Sequence, residues 1–501
     1  MMHGLEKSDL AVVAMKPANK AVPAVAHTAA EWVEPRAGTK ANTGQPNTRR
    51  TQSRGSVSQG LDRVRQIARC NKKEKFTALL HHVNVARLRE AFLALKRRAA
   101  PGVDGVTWQA YEADLECRLQ DLHQRVHRGS YRAQPVQRRF IPKPDGTLRP
   151  LGITALEDKI VQRALVAVLN AIYEEDFLGL SYGFRPGRGQ HDAMDALAVG
   201  IDTARVNWVL DADIRSFFDK IDPSWLIQFL EHRIGDARVI RLIQKWLKAG
   251  VLDDGALSVS DMGTPQGAVI SPLLANVFLH YAFDLWAAQW RKRQAKGRVI
   301  VVRYADDIVA GFELETDARQ FWQAMRERLG QFGLELHEGK TRLLEFGRHA
   351  AARRERRGQG KPDTFMFLGL IFISGKSRSG NYQLQRKSRG DRMRAKLRDI
   401  KAELRRRMHR SIPEQGEWLG AVVRGYMNYH AVPTNARSVA AFGYHVKNLW
   451  RRTLKRRSQK DGLTHERMDR IAAAYLPRPR ILHPWPNARF AVKHPRWEPS
   501  A

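Results

Sequence analysis

Two adjacent aspartates, Asp306 and Asp307, have the residue type and spacing for metal-dependent chemistry. They belong to a Tyr-Ala-Asp-Asp stretch at 304–307, flanked by apolar β-branched runs at 299–302 and 308–310. Such runs favour extended backbone and predict a hairpin with the carboxylates at its turn. Neighbouring ionised carboxylates repel each other, and a hard divalent cation between them relieves that repulsion. An isolated pair of this kind is more often a plain polar turn, so the rest of the chain must decide.

A third carboxylate, Asp213, ends another predicted strand, which begins with the apolar residues 208–210. Phe217 and Phe218 follow and can form the wall of a pocket. Acidic strand ends are frequent, so Asp213 is weak evidence by itself. Joined with the adjacent pair, it could hold two Mg²⁺ ions roughly 3.5–4 Å apart, the arrangement that polymerases and nucleases use for phosphoryl transfer.

Two cations, Lys143 and Arg149, flank a predicted turn. Residues 140–141 predict a strand, Pro-Asp-Gly at 144–146 a turn, and the residues from Leu148 onward a returning strand. A hairpin brings the two cations close together, where they can bind a triphosphate. Two solvated charges beside a turn are an equal alternative from this stretch alone.

The loop at 181–189 interleaves aromatic, glycine and arginine residues, including Arg185 and Arg188. This mixture favours contact with a nucleic-acid strand through stacking and phosphate pairing, although a plain connecting loop is the alternative. Residues 263–272 form a turn-rich stretch that opens a predicted helix at 273–286. The N-terminus of such a helix presents free N–H groups.

The charge of the chain indicates a polyanionic partner. It carries 86 Lys and Arg against 51 Asp and Glu, a net charge of +35, which favours nucleic acid over an anionic membrane. No apolar window is long enough to span a bilayer, and we see no signal peptide. The two cysteines, Cys70 and Cys117, exclude a cysteine-based zinc finger and a disulfide framework. We therefore expect a cytoplasmic protein that associates with the nucleoid when it engages DNA.

Several segments lie outside these motifs. Residues 1–60 are rich in Ala, Pro, Gly, Thr, Ser and Gln, which predicts a mostly disordered leader. Helical spacing begins near Leu61, a basic loop is predicted at 348–361, and the chain after Tyr475 is Pro-rich and irregular.

A basic amphipathic helix is predicted at 389–410. Its basic face could be merely solvated, but on a chain of this charge we expect that face to contact RNA. The same expectation covers a second basic run further along the chain. The arginines concerned are Arg405, Arg406, Arg451 and Arg452.

With its motifs in this order, the chain resembles the bacterial group II intron-encoded proteins, which are reverse transcriptases with a maturase domain. The resemblance covers roughly residues 75–500 and includes 424–430 and 450–457 in the C-terminal part. The motifs that carry it are Ile-Pro-Lys-Pro-Asp-Gly at 141–146, Ser-Tyr-Gly-Phe-Arg-Pro-Gly at 181–187, Asp-Ile-Arg-Ser-Phe-Phe-Asp at 213–219, Thr-Pro-Gln-Gly at 264–267 and Tyr-Ala-Asp-Asp at 304–307.

The resemblance implies an α+β fold of the right-hand polymerase type. Fingers and a palm built on antiparallel sheet are then followed by an α-helical thumb, or maturase domain. The segment at 101–107 resembles an N-terminal motif that clasps template and primer. The implied domains are a leader at 1–60, fingers and palm at 61–375, a thumb/maturase domain at 376–475 and an irregular tail at 476–501.

The resemblance also implies roles for individual residues. Asp213, Asp306 and Asp307 are the implied catalytic metal ligands for two Mg²⁺ ions, with the carbonyl group of Ile214 as a helper. Phe218 occupies the position of the steric gate against a ribose 2′-hydroxyl group. The implied nucleotide-binding residues are Lys143, Arg149, Phe218, Gln266 and Lys340.

The implied activity is RNA-directed DNA synthesis from dNTPs on an RNA template with a DNA primer. The implied partners also include the intron RNA, whose splicing the protein promotes, and target DNA for intron mobility, with no membrane. Ala268 departs from a second glycine that many relatives have. We see no zinc-binding cysteine pair or His-Asn-His-type endonuclease region, so mobility would need a primer such as a nascent strand at a replication fork.

Two other readings compete with this one. The first is an RNA-binding splicing factor with a vestigial polymerase site, which the intact carboxylates and the presence of Lys143, Arg149 and Gln266 argue against. The second is a reverse transcriptase of the retron or diversity-generating type. Those types lack the maturase region, so the matches from Arg424 to Arg457 argue against it.

Overall fold

The computed structural model describes residues 51–142, 148–253, 256–258, 267–457 and 463–493. Helices and strands alternate between Val136 and Ser388, and the described residues on either side are mainly helical. The helices are α1 (Thr51–Cys70), a 3₁₀ turn (Leu80–His82), α2 (Val85–Leu93), α3 (Trp108–Glu112), α4 (Leu115–Arg128), α5 (Leu156–Asp176), α6 (Gln190–Thr203), α7 (Phe217–Lys220), α8 (Pro223–Glu231), α9 (Ala237–Leu247), α10 (Ser271–Leu279), a π-helical turn (His280–Asp284), α11 (Leu285–Arg293), α12 (Glu315–Gly330), α13 (Ala350–Arg356), α14 (Gly390–Arg406), α15 (Ile412–His430), α16 (Ala436–Lys455), α17 (His465–Tyr475) and α18 (Pro486–Lys493).

The strands of the described residues form three sheets. The first has the order β2-β1-β4-β5, the second β6-β7-β3-β8 and the third β11-β10-β9. The strands are β1 (Val136–Pro142), β2 (Leu148–Ile153), β3 (Trp208–Asp213), β4 (Val251–Asp253), β5 (Ala256–Ser258), β6 (Val299–Tyr304), β7 (Asp307–Phe312), β8 (Arg342–Glu345), β9 (Thr364–Phe367), β10 (Leu370–Lys376) and β11 (Tyr382–Ser388).

The helix α5 is the centre of the N-terminal half. Apolar side chains are buried along most of its circumference, which is the pattern of a core helix rather than a surface helix. The helices α1 and α2 pack against it, and its buried residues belong to the same core as one face of the second sheet. This core fixes the second sheet against the helices.

The second sheet is antiparallel throughout, which confirms the α+β class. The strand β7 pairs with β6 on one side and with β3 on the other, and β8 pairs with the far edge of β3. Both predicted strands around residues 304–307 are present and form the expected hairpin. The predicted hairpin of β1 and β2 is also confirmed, with Ile141 opposite Arg149.

The C-terminal helices α14 to α17 have a core of their own. The indole of Trp450 is fully buried there and donates a hydrogen bond to Gln415 Oε1 at 2.9 Å. The helix α15 begins with a capping box in which Ser411 and Glu414 satisfy each other's backbone N–H groups. The predicted basic amphipathic helix corresponds to α14.

Two segments predicted to be irregular contain helices. The predicted basic loop at 348–361 includes α13, and Arg353 on this helix binds Glu345 Oε1 at 2.6 Å and Asn207 Oδ1 at 2.9 Å. A helix of this length is marginal in isolation, so these tertiary contacts stabilise it. The sequence offered no apolar periodicity that would reveal such a helix.

The tail after Tyr475 is likewise not irregular throughout, because α18 packs against α6. Phe490 is buried, and Arg489 binds Asp192 Oδ1 at 2.7 Å. Proline at the first position of α18 suits a helix start, because its missing N–H would have no partner there. The Pro-rich composition therefore led us to predict an irregular tail where a short helix packs against α6.

Two predicted boundaries also differ. Helical structure begins at Thr51 rather than near Leu61, and the leader prediction for 1–50 lies outside the described residues. The boundary at 375–376 falls within the hairpin of β10 and β11, which pair along their full length. Among the described residues, no helix is long and apolar enough to cross a membrane.

Candidate active site

The turn between β6 and β7 carries the aspartate pair. Tyr304 lies directly opposite Asp307, so Ala305 and Asp306 form a two-residue connection. Ala305 has a φ of 57°, in the left-handed region that a non-glycine residue rarely adopts. Such a conformation persists only where the surrounding structure holds it. The turn is therefore positioned by its neighbours rather than by its own preference.

The third carboxylate comes from the neighbouring strand. Asp213, the last residue of β3, lies directly opposite Asp307 in the antiparallel register. The carbonyl group of Asp213 accepts a hydrogen bond from the backbone N–H of His337 at 2.8 Å. Lys340 Nζ lies 2.8 Å from Asp213 Oδ2, so the predicted lysine is also part of the site. Residues from three distant stretches of sequence are brought together here.

The electrostatics of the site reflect the crowding of negative charge. Removal from solvent and the nearby carboxylates of Asp306, Asp213 and Asp211 raise the pKa of Asp307 to about 7, and Lys340 opposes this shift. Part of the Asp307 side chain is nevertheless open to solvent. The site thus concentrates carboxylates with incompletely compensated charge.

Across the part of the chain that the structure describes, no three His, Cys, Asp or Glu side chains are already arranged as a set of metal ligands. The ammonium group of Lys340 supplies positive charge at Asp213 instead. The available donors are carboxylate oxygens, which are the ligands that hard divalent cations prefer. In chemistry and charge, Asp213, Asp306 and Asp307 therefore fit such a cation.

A buried arginine binds the backbone of the turn and connects it to neighbouring segments. Arg303 and Asp284 are both fully buried and form a two-pronged ion pair, with distances of 2.6 and 2.7 Å. Arg303 Nη1 also donates to Ala305 O and Asn276 Oδ1, each at 3.0 Å, and Nη2 donates to Ser181 Oγ at 2.8 Å. The planar guanidinium group thereby links three separate segments to the turn.

The sequence analysis missed this network. A signal was present, since Arg303 is the one charged residue inside the apolar run of β6, and a buried charge must be paired. Its partner is placed by the π-helical turn His280–Asp284 between α10 and α11. Such turns often occur at functional sites.

The loop at 181–189 packs directly against the turn. The backbone N–H of Tyr182 donates to Arg303 O at 2.8 Å, and Gly183 O accepts from Asn276 Nδ2 at 2.7 Å. A Cβ atom on Gly183 would lie 2.3 Å from Ala305 N, so only glycine allows this approach. The loop and the turn therefore form one unit.

The predicted RNA contact through Arg185 is wrong for this conformation. Arg185 is buried, and its guanidinium group donates to Glu174, to Leu178 O and to Ser181 O. Arg188 is half-buried and donates to the Gly179 carbonyl group at 2.9 Å. Its guanidinium carbon also lies 5.2 Å from the Tyr182 ring centroid. Both arginines stabilise the loop from inside, because unsatisfied carbonyl groups there need donors.

The structure describes only some of the residues that we predicted to bind the nucleotide. Lys143 and Gln266 lie outside the described residues, as does the side chain of Arg149, whose backbone belongs to β2. Gly267 has a φ of 112°, and a Cβ atom there would lie 2.2 Å from Gly152 O. The chain immediately after Gln266 therefore packs against the strand that carries Arg149.

The structure describes the remaining predicted site residues. Phe218 is half-buried with its ring centroid 5.4 Å from that of Phe217, and buried Ile214 bridges to Leu336. On the C-terminal helices, Arg451 is half-buried and the remaining predicted arginines are exposed. The exposed ones are Arg405, Arg406 and Arg452.

Comparison with known proteins gives the family. Residues 141–372 match the family described as "Reverse transcriptase (RNA-dependent DNA polymerase)". Protein YkfC of Escherichia coli (strain K12) is 35% identical over 326 residues, which cover 58% of this chain and 81% of YkfC. Group II intron-encoded protein LtrA of Lactococcus lactis subsp. cremoris is 34% identical over 222 residues, or 44% of this chain. The chain belongs to the group II intron reverse transcriptases.

As a member of that family, this reverse transcriptase is an RNA-directed DNA polymerase, and enzymes of this class use divalent metal ions. The match with LtrA spans 37% of LtrA's length. A putative COX1/OXI3 intron 1 protein of Saccharomyces cerevisiae is 26% identical over 306 residues, which cover 52% of this chain and 36% of that protein. The similarity to intron-encoded proteins thus extends beyond bacteria.

Proposed function

We propose that this reverse transcriptase extends a DNA primer on an RNA template at Asp213, Asp306 and Asp307, and that it also acts as a maturase for a group II intron RNA. The observation that carries the polymerase proposal is the register of the second sheet. It sets Asp213 directly opposite Asp307, with Asp306 at the adjoining turn. Polymerisation needs carboxylates from separate segments at one point, and this register supports that requirement.

Two Mg²⁺ ions bound by these carboxylates would supply Lewis-acid chemistry, lowering the pKa of the primer 3′-hydroxyl group and neutralising the triphosphate. The carbonyl group of Ile214 would assist in holding them. The remaining work belongs to the protein. Arg303 holds the turn in place, and the ammonium group of Lys340 lies where it can offset negative charge next to Asp213.

The dNTP would bind between the first and second sheets. The packing of Gly267 against Gly152 supports this location, since it joins the stretch after Gln266 to the strand of Arg149. In this proposal Lys143 and Arg149 bind the triphosphate, Gln266 contacts the nucleotide and Phe218 excludes a ribose 2′-hydroxyl group. The first two sheets then correspond to the fingers and palm, and the helices α14 to α17 to the thumb/maturase domain.

The maturase role would use the C-terminal helices. Arg405, Arg406 and Arg452 are exposed there, on a chain with a net charge of +35. Exposed cations bind the phosphate backbone, and that binding weakens as salt rises. We propose intron RNA as this partner and target DNA as the substrate for intron mobility. The proposed location is cytoplasmic, at the nucleoid during DNA engagement.

A pair of assays on one variant tests whether the two functions use separate sites. Asp306→Ala should abolish primer extension on an RNA template while leaving intron RNA binding and splicing largely intact. Asp222→Asn is the matched control, because Asp222 caps α8 and asparagine caps a helix equally well. Splicing that fell as far as polymerisation would contradict the separation. A wild-type protein that promotes splicing but does not extend the primer would instead be a splicing factor with a vestigial polymerase site.

A further inference from the structure

We propose that Phe184 is a base-stacking residue that holds the nucleic-acid strand next to the Asp306–Asp307 turn. The inference rests on the proposed function of that turn and gives an individual role to one aromatic residue of the loop at 181–189. Three independent features of Phe184 lead to it: its exposure, its backbone conformation and its position.

The phenyl ring of Phe184 is presented to solvent. It is 52% exposed, whereas Gly183 and Arg185 on either side are buried. The guanidinium groups of Arg185 and Arg188 bind carbonyl groups inside the loop. The feature that this loop offers to a partner is thus an aromatic ring rather than a positive charge. Its exposed apolar surface contributes nothing to the folding core.

The backbone of Phe184 is also unfavourable for its residue type. Its φ is 61°, in the left-handed region, where a bulky side chain is strained and glycine is not. The loop imposes this conformation, because Gly183 is pressed against Ala305 and Arg185 is tied to Glu174. Neither burial nor backbone preference therefore favours phenylalanine here. Strain of this kind is concentrated at functional sites.

The position of the ring gives its partner. The Phe184 centroid lies 6.4 Å from the centroid of Tyr304, with an angle of 47° between the two rings. That distance is near the outer limit of aromatic contact, and the tilt leaves a face of Phe184 unused. Tyr304 is directly opposite Asp307. The ring therefore lies beside the proposed catalytic turn, where the end of a bound strand would be held, and every nucleobase has a face that can stack on it.

The decisive variant is Phe184→Gly, because stability and binding should move in opposite directions. Glycine relieves the strained φ and removes little buried surface, so the thermal unfolding temperature should stay the same or rise. Loss of one stacked base should weaken the binding of an RNA template–DNA primer duplex by about 5- to 100-fold, measured by fluorescence anisotropy without dNTPs. Phe184→Trp should keep wild-type affinity.

A salt titration separates stacking from charge. The dependence of log Kd on log salt should keep its wild-type slope in Phe184→Gly, since no phosphate contact is lost. Leu314→Ala is the control, because Leu314 is also a large exposed apolar residue but follows the opposite end of β7. Its Kd should equal the wild-type value.

The outcomes are distinguishable. Wild-type affinity in Phe184→Gly would overturn the stacking inference, whatever the activity of the Asp306 variant. Primer extension by Asp306→Ala would overturn the proposed active site, whatever the affinity of the Phe184 variant. Should Phe184→Gly lose stability, Phe184→Asn repeats the comparison with a second residue that tolerates left-handed φ, and wild-type affinity there would equally reject the inference.

Discussion

Arg303 and Asp284 form an ion pair with both side chains fully removed from solvent, and Arg303 also donates a hydrogen bond to Ala305 O in the turn that carries Asp306. A buried ion pair contributes little net stability, because desolvation of the charges offsets their attraction. Its value here is geometric. It fixes a strained turn at the place where the carboxylates must meet.

Removing Asp284 should damage both folding and activity. Asp284→Asn leaves the Arg303 charge unpaired in the core, so the free energy of unfolding should fall by about 3–5 kcal/mol. The informative variant is the double replacement Asp284→Leu with Arg303→Met, which removes both charges. Denaturant unfolding should show stability near that of the wild type.

Primer extension by the same double variant should remain at least about tenfold slow, because Ala305 O and Ser181 Oγ have lost their donor and the turn is free to shift. Arg238→Met is the control, since it likewise removes a guanidinium group from an ion pair, here between the exposed Arg238 and the buried Asp236 at the start of α9. Wild-type primer extension by the stable double variant would show that the network does not position the turn.

Lys340→Met should slow catalysis and yet lower the Mg²⁺ concentration needed for half-maximal rate. Loss of the ammonium group 2.8 Å from Asp213 makes the carboxylate site more negative, so a divalent cation should bind it more tightly. The missing positive charge should also reduce kcat, by roughly 10²-fold. Lys220→Met is the control, because Lys220 pairs with Glu335 on the protein surface. A raised Mg²⁺ requirement in Lys340→Met would contradict the predicted role.

His280 should make the fold sensitive to acid. Burial, followed by the nearby charges of Arg303, Arg185 and Lys72, lowers its pKa to about 3. The unfolded chain binds a proton near pH 6.5 while the folded chain does not, so stability is lost as pH falls from 6.5 towards 3. At pH 5 the loss from this group should be about 2 kcal/mol.

Denaturant unfolding between pH 7 and pH 5 measures this effect. His280→Gln should unfold with a smaller dependence on pH, because glutamine has no proton to gain. His409→Gln, at an exposed position, should keep the wild-type dependence. An unchanged pH dependence in His280→Gln would assign the acid sensitivity to other groups.

The strands of the site could be predicted because their signals are local. The β-branched runs beside 304–307 and the apolar run at 208–210 predicted β6, β7 and β3 within a residue or two. The pairing of Asp213 with Asp307 could not be predicted in this way, because the local sequence of two distant strands does not determine their register. The resemblance to a family, rather than the residues alone, implied that these carboxylates share one site.

The features that the sequence analysis did not predict depend on tertiary contacts. The sequence of a polar loop predicts that its arginines are exposed. The fold shows instead that the side chain of Arg185 points inwards and donates to backbone carbonyl groups. The helix that includes Arg489 owes its place to Asp192 on α6, a partner far away in the sequence. Arg303 carried a usable signal, since a charge within an apolar strand requires a buried partner.

The most direct test of the central claim is the rate of single-nucleotide extension of a DNA primer on an RNA template by three isosteric variants. Asp213→Asn, Asp306→Asn and Asp307→Asn should each lose at least about 10³-fold in rate, since each removes a charge needed to hold the cations that activate the primer. Asp222→Asn should extend at the wild-type rate. An Asp213→Asn enzyme that extends primers as fast as the wild type would contradict a site shared between β3 and the β6–β7 turn.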